Sequence, residues 1–226
     1  MSVSESEQEA RGLRLVFVLL GLTVVSGLID AVSYLGLGHV FTANMTGNVV
    51  VLGFAAAGAP GFSVPHTATS LGCFLLGAVA GGRVTRWLGG GSRRTWARLT
   101  LAAEAVLVGG AAAAAFAAPH ATATRYAVIG LTAVAMGLRN ATVRKLDVPG
   151  LTTTTVLTMT LTGLAADSRA GGGSGSRSPR RSAAVVAMAA GAWLGAWLVL
   201  HHGLGIPLLV AAGAAGVLAV VASGRE

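Results

Sequence analysis

The sequence predicts an all-α integral membrane protein with six transmembrane helices, two short re-entrant half-helices and a 3+3 inverted repeat, all in one membrane domain over residues 1–226. Three observations predict it. Of the 226 residues, 54% are hydrophobic and only 11% charged, where soluble domains carry about 25% charged residues; mean hydropathy is +0.73. So little charge leaves too little polar surface to cover a soluble core. Apolar runs of the ~20 residues that a bilayer-crossing helix needs recur along the chain. The basic residues, finally, sit in the loops between those runs.

Taken in order, six runs are long enough to span: 13–37, 67–88, 97–118, 123–146, 183–201 and 205–222. The first follows MSVSESEQEARGLRL, acidic and then weakly basic, without a small-residue cleavage site before a soluble domain. It reads as an uncleaved helix rather than a signal peptide. Two shorter apolar runs, 44–58 and 152–166, each follow a span closely and begin with polar residues. Apolar segments of about 10–14 residues are more often re-entrant or interfacial than spanning.

Arginine placement tests that assignment. With only the six long runs crossing, Arg11 and Arg14 share a side with the loop that holds Arg83, Arg86, Arg93, Arg94 and Arg98. Arg144, Lys145, the arginines of the 167–182 linker and the terminal Arg225 fall on that side too. The opposite side holds Arg125, and Arg139 lies inside a span. Letting 44–58 cross would send the five-arginine loop outside, against the positive-inside bias. Both termini are therefore expected in the cytoplasm. The net charge of +8 then reports orientation rather than nucleic-acid binding, and no aromatic–basic interleaving supports such a partner. Cys73 is the single cysteine, which excludes an internal disulfide. The linker ADSRAGGGSGSRSPRRS is flexible by composition; it is a plain tether or an anionic-lipid contact. Trp87 and Trp96 flank the other basic loop as interface anchors.

Sliding the chain by 110 residues lays Gly27, Asp30 and Ala31 over Gly137, Asn140 and Ala141, and Gly53 over Gly163. Each half (13–118 and 123–222) then reads long helix, polar-capped short segment, long helix, long helix. Three crossings per copy make the second copy enter from the opposite face, the inverted-topology plan of many secondary transporters, with the site near the midplane. A duplicated bundle without a transport path is the other reading.

Several residues are placed to carry chemistry. Asp30, Glu104, Arg139 and Asn140 are the charged and polar residues within spans, and intramembrane ionisable groups are functional candidates by default. Asp30 near the outer end of the first span is a counter-charge for Arg139 or a cap for the turn that follows. Arg139 stays ionised and needs a carboxylate, carbonyls or water; an Asp30–Arg139 pair is expected, with reach to the cytoplasmic interface as the alternative. Glu104 is a proton or cation acceptor, or a headgroup-depth residue beside Arg98. His201 and His202 point apart on a helix and read as interface residues, not metal ligands. The best binding candidates are the polar starts of the short segments: Asn44, Thr46, Gly47 and Asn48 in one, Thr152, Thr154, Thr155 and Thr158 in the other. A half-helix N-terminus offers free amides to an anionic group, although Gly and Thr also serve close helix packing. No HExxH, CxxC, GxSxG or P-loop pattern occurs, so neither an enzyme nor a cofactor or metal is expected.

GLIDAVSYLGLGHVFTANMTGNVVVLG and AMGLRNATVRKLDVPGLTTTTVLTMTLTGLA together make the chain resemble the YoaK family of uncharacterised bacterial inner-membrane proteins. The resemblance covers residues 13–222 and implies a multi-pass membrane protein. Asp30, Asn44, Thr46, Gly47, Asn48, Asn140 and Thr154 carry the family signature; the arginine-rich linker is outside it. No established substrate or activity comes with the family. The expected function is a small-solute or ion transporter, with the lipid bilayer and a small solute or proton as partners. The alternative is a non-transporting scaffold or accessory subunit. Oligomeric state is open.

Overall fold

The computed structural model describes residues 3–87, 93–146, 157–173 and 178–222. They form eight α-helices: α1 Val3–Gly36, α2 Met45–Ala56, α3 Val64–Trp87, α4 Arg93–Ala117, α5 Thr122–Leu146, α6 Leu157–Ala166, α7 Ser178–His202 and α8 Gly205–Val221. A 3-10 turn at Arg169–Gly171 follows α6, and no strand occurs among the described residues. Five helices carry stretches long and apolar enough to cross a membrane: Val16–Gly36, Val64–Val84, Thr95–Ala117, Thr122–Lys145 and Pro179–His202. The 17 residues of α8 span about 26 Å at 1.5 Å each, close to the ~30 Å hydrocarbon core. α2 and α6, at 12 and 10 residues, reach barely half that. The protein is a multi-pass membrane protein.

Local chemistry sets the helix boundaries. Asn44 caps α2 by accepting from the Gly47 N–H at 3.3 Å. Ser63 precedes α3, its hydroxyl accepting from the His66 N–H at 3.4 Å, and Pro65 stands in the first turn, where a missing N–H costs nothing. Pro179 and Pro207 hold the same place in α7 and α8. The acidic leader continues α1 back to Val3, well before the apolar run, because Ser, Glu, Gln and Ala give no reason to stop a helix.

Helix directions follow from close approaches at glycine. On α1, Gly27 abuts the Met188 and Ala192 backbone, while Gly191 abuts Val24 and Gly195 abuts Leu28. Positions advance together, so α1 and α7 are parallel. Gly137 likewise abuts Phe74 and Ala78, Gly77 abuts Val134 and Gly81 abuts Leu138, so α3 and α5 are parallel. A methyl group on Gly27, Gly77, Gly137 or Gly191 would overlap facing backbone, which is how small residues bring membrane helices together. α4 and α8 run antiparallel: a Cβ on Gly109 would sit 3.9 Å from Ala212 Cβ, and one on Gly216 3.9 Å from Ala105 Cβ. α4 is also antiparallel to α5, since Thr100 meets Thr142 at 2.9 Å and Glu104 meets Arg139.

The main core is built from α1 (Leu28, Ile29, Val32), α4 (Val108, Ala111, Ala112), α5 (Val128, Ile129, Met136) and α8 (Leu208, Ala211). Outward faces keep Phe17, Leu76, Val106, Trp193, Leu200 and Val220 exposed, the inverse of a soluble surface and suited to lipid. α1 and α5 touch little, and the space between the two parallel pairs is where the polar residues gather.

Candidate functional site

The site begins with Asp30. After α1 ends at Gly36 the chain turns back, with Gly38 and His39 in the left-handed region (φ 88° and 59°), and passes beside Asp30. The Asp30 Oδ1 atom accepts three consecutive backbone N–H groups, from Thr42 (3.2 Å), Ala43 (2.8 Å) and Asn44 (3.3 Å). Asp30 thus ties the residues that lead into α2 to the side of α1. Asn48, fully buried, accepts from the Phe41 N–H at 2.9 Å and donates to the Phe41 carbonyl at 2.6 Å and to Ser70 Oγ at 3.1 Å. Ser70 Oγ also donates to that carbonyl at 2.6 Å. Phe41 stacks on Tyr34 with centroids 4.8 Å apart, and His39 Nδ1 meets the Gly61 carbonyl at 3.0 Å. The loop between α1 and α2 is held from α1, α2 and α3 at once.

Arg139 forms its ion pair with Glu104 and not with Asp30. Its Nη1 donates to Glu104 Oε1 at 2.9 Å, and its Nη2 donates to the Ser26 hydroxyl. The expected Asp30–Arg139 pair is therefore replaced by Glu104–Arg139. Asp30 Oδ1 is already occupied by amides, whereas Glu104 faces α5 directly across the α4–α5 contact. Glu104 is accordingly no isolated acceptor: it is wholly buried and paired, and Thr100–Thr142 forms the next polar layer on the same two helices. Asp30 Oδ2, Glu104 Oε2, Thr42 Oγ1 and His66 Nδ1 are buried without a hydrogen-bond partner among the described residues.

A cavity of about 330 Å³ lies between these elements, lined by Thr23, Ser26 and Asp30 of α1; Asn44, Thr46, Gly47 and Val50 at the start of α2; Arg139, Asn140 and Val143 of α5; Leu157 and Thr158 of α6; and Met188 of α7. A second hollow of about 740 Å³ shares Asn44, Thr46 and Asn140 and continues along Phe74, Ala78 and Gly82 to Arg144 and Lys145 at the end of α5. Polar groups thus run from Asp30 to the basic end of α5.

The structure brings together Asp30, Asn44, Thr46, Gly47, Arg139, Asn140 and Thr158. Asn48 instead holds the loop backbone, and Glu104 stands behind Arg139. Thr152, Thr154 and Thr155 lie outside the described residues. Sequence reasoning missed Ser26, Thr23 and Ser70. The hydroxyls of Ser26 and Thr23 donate to the Leu22 and Leu19 carbonyls one turn back (3.0 and 2.9 Å), the ordinary behaviour of Ser and Thr in apolar helices. Their only signal was position: Thr23, Ser26 and Asp30 recur three and four residues apart on one face of α1.

Comparison with known proteins gives a consistent class. The chain is 34% identical over 149 residues to the UPF0700 transmembrane protein YoaK of Bacillus subtilis (strain 168), an alignment covering 65% of this chain and 64% of that protein. The match therefore spans a little under two thirds of the relative's length. No solved structure matches. The family model described as "Protein of unknown function (DUF1275)" matches residues 18–221, which takes in α2 through α8 and all but the leader of α1. The chain belongs to the DUF1275 family.

Proposed function

We propose that the protein is a small-solute or ion transporter of the bacterial cytoplasmic membrane, built as six crossings in a 3+3 inverted repeat with two re-entrant half-helices and both termini in the cytoplasm. The observation that carries this reading is the central cavity, where the polar starts of α2 and α6 meet Asp30, Arg139 and Asn140. Discontinuous helices whose ends face a midplane cavity are the recurring plan of such transporters.

Helix direction supports six crossings. If both short helices crossed as well, α4 and α8 would point the same way, but they are antiparallel. If one alone crossed, one of the pairs α1/α7 and α3/α5 would be antiparallel, but both are parallel. The repeat is supported by matched contacts. Gly27 on Met188 and Ala192 corresponds to Gly137 on Phe74 and Ala78; Gly77 on Val134 corresponds to Gly191 on Val24. The α2–α3 and α4–α5 contacts correspond to α6–α7 and α8–α1. Rocking of one parallel pair against the other would open the cavity to alternate faces.

A screen of purified, reconstituted protein tests the function. One class of small solute should raise its thermal stability and enter protein-loaded vesicles, and Asn44→Ala should abolish both; a cavity that no solute stabilises, with no flux, would sink the transport reading. A scaffold role is favoured instead by the commitment of Asn48, Ser70 and Asp30 Oδ1 to holding backbone. That second reading expects the family's polar residues to affect stability alone. Topology is tested by cysteine labelling after replacing Cys73: positions on both sides of 44–58 should label from outside.

A further inference from the structure

We infer that Asp30 Oδ2 accepts a hydrogen bond from the protonated amine of a small organic cation bound in the central cavity. The inference rests on the reading of that cavity as a solute site and adds the charge of the solute and the atom that meets it.

Three amides fix the carboxylate through Oδ1. Oδ2 is buried without a partner among the described residues, on a side chain 6% exposed that lines the cavity wall. A buried carboxylate oxygen stripped of water and given no donor is unfavourable, and Asp30 lines a space of about 330 Å³, at the small end of ligand pockets. Charge points the same way. Arg139 also lines the cavity, but its guanidinium is matched by Glu104 at 2.9 Å, and Glu104 does not reach the wall. Asp30 is left as the lining charge without a contacting counter-ion. The remaining polar walls, Asn44, Thr46, Asn140 and Thr158, are neutral amides and hydroxyls. Asp30 is the anionic group among the lining residues, and its unpartnered oxygen, with Arg139 already matched by Glu104, suits a single positive charge with N–H donors. Divalent metals take several anionic or strongly donating ligands, and no cluster of three or more His, Cys, Asp or Glu side chains exists among the described residues.

The test uses the full chain in detergent micelles and in vesicles, with propylammonium, propan-1-ol and propionate as probes at constant pH and ionic strength. Propylammonium should raise the melting temperature saturably, and the alcohol and the carboxylate should not. Asp30→Asn keeps an oxygen for the three amides and should weaken propylammonium about ten- to a hundred-fold, the range of a charged hydrogen bond. Should that variant fail to fold, wild-type protein still decides: propylammonium should slow modification of Asp30 by a hydrophobic carbodiimide over the concentration range that raises the melting temperature. If propan-1-ol binds as well, the cavity takes neutral solutes; the amine inference falls while the transport reading stands. If proton or sodium concentration alone reproduces both effects, Oδ2 carries an inorganic ion and the inference is overturned. If no probe or other solute binds, both readings fail together.

Discussion

The two short helices, α2 and α6, which the proposed repeat makes counterparts, differ in how they are secured. In the first half Asp30 gathers three amides of the returning chain, and Asn48 with Ser70 grips Phe41, so the start of α2 is fastened to α1 and α3. In the second half Asn140 stands where Asp30 does. α6 is fastened nearer its far end, where Arg181 of α7 donates to the Gly163 carbonyl at 2.7 Å and to Asp167 at 2.6 Å. The shared plan fixes where polar atoms lie, and single substitutions fix their charge. The cavity between the short helices therefore has a carboxylate, Asp30, on its α1 wall, and the Asn140 amide beside Arg139 on its α5 wall.

The sharpest way to break that contrast is to remove both anchors. Asp30→Ala leaves three backbone amides, one buried and two partly buried, without their acceptor; a buried unmet donor costs about 1–3 kcal/mol, so a loss of a few kcal/mol is expected. Asn140→Ala should stay within about 1 kcal/mol, as for a side chain with few fixed partners. Denaturant unfolding in mixed micelles measures both; equal losses would mean the short helices are equally anchored. Similar in size is the ion pair behind the cavity. Glu104→Ala strands a buried guanidinium and should cost about 3–5 kcal/mol, whereas adding Arg139→Met should recover much of it, because apolar replacement of a buried pair is often neutral. No recovery would assign Arg139 a role beyond balancing Glu104.

The glycine contacts test the equivalence that the contrast presumes. Gly27→Val and Gly137→Val each push a branched side chain into facing backbone, and overpacking of this kind costs about 1–3 kcal/mol. The two losses should agree within error, read from the same unfolding curves. A large inequality would show that the α1–α7 and α3–α5 contacts are not counterparts.

Much of this organisation was legible in the sequence, since length and hydropathy decide which segments cross a bilayer. The six long runs became α1, α3, α4, α5, α7 and α8 with ends shifted by a few residues, and 44–58 became α2 because Asn44 is a true cap. In the proposed repeat the 110-residue offset relates α1 and α5, whose Gly27 and Gly137 make matching close approaches. It drifts to 114 for α3 and α7 (Gly77 to Gly191) and to 107 for α4 and α8 (Gly109 to Gly216), since loops of unequal length separate the helices. An ungapped comparison could not follow that drift. The Glu104–Arg139 pair was hidden for a related reason. Its members are not counterparts in the repeat, and the α4–α5 contact that joins them is a matter of packing rather than periodicity. Asp30 stood out in the sequence as an intramembrane acid, but its Oδ1 role depends on a chain reversal at Gly38 and His39 that composition does not encode.

A small expected effect on stability is the most informative about function. Asn44 is exposed to the cavity, and its described hydrogen bond is the cap to Gly47 N–H. Loss of an N-cap costs about 0.5–2 kcal/mol, and the Asp30 and Asn48 contacts remain to hold the loop, so Asn44→Ala should melt only a few degrees below wild type. If the cavity is a solute site, the same variant should lose its stabilisation by solute altogether, because the start of α2 frays where the solute sits. A scaffold predicts the small stability loss without the second effect. Wild type and Asn44→Ala, melted with and without solute, therefore separate a wall that binds from a wall that packs.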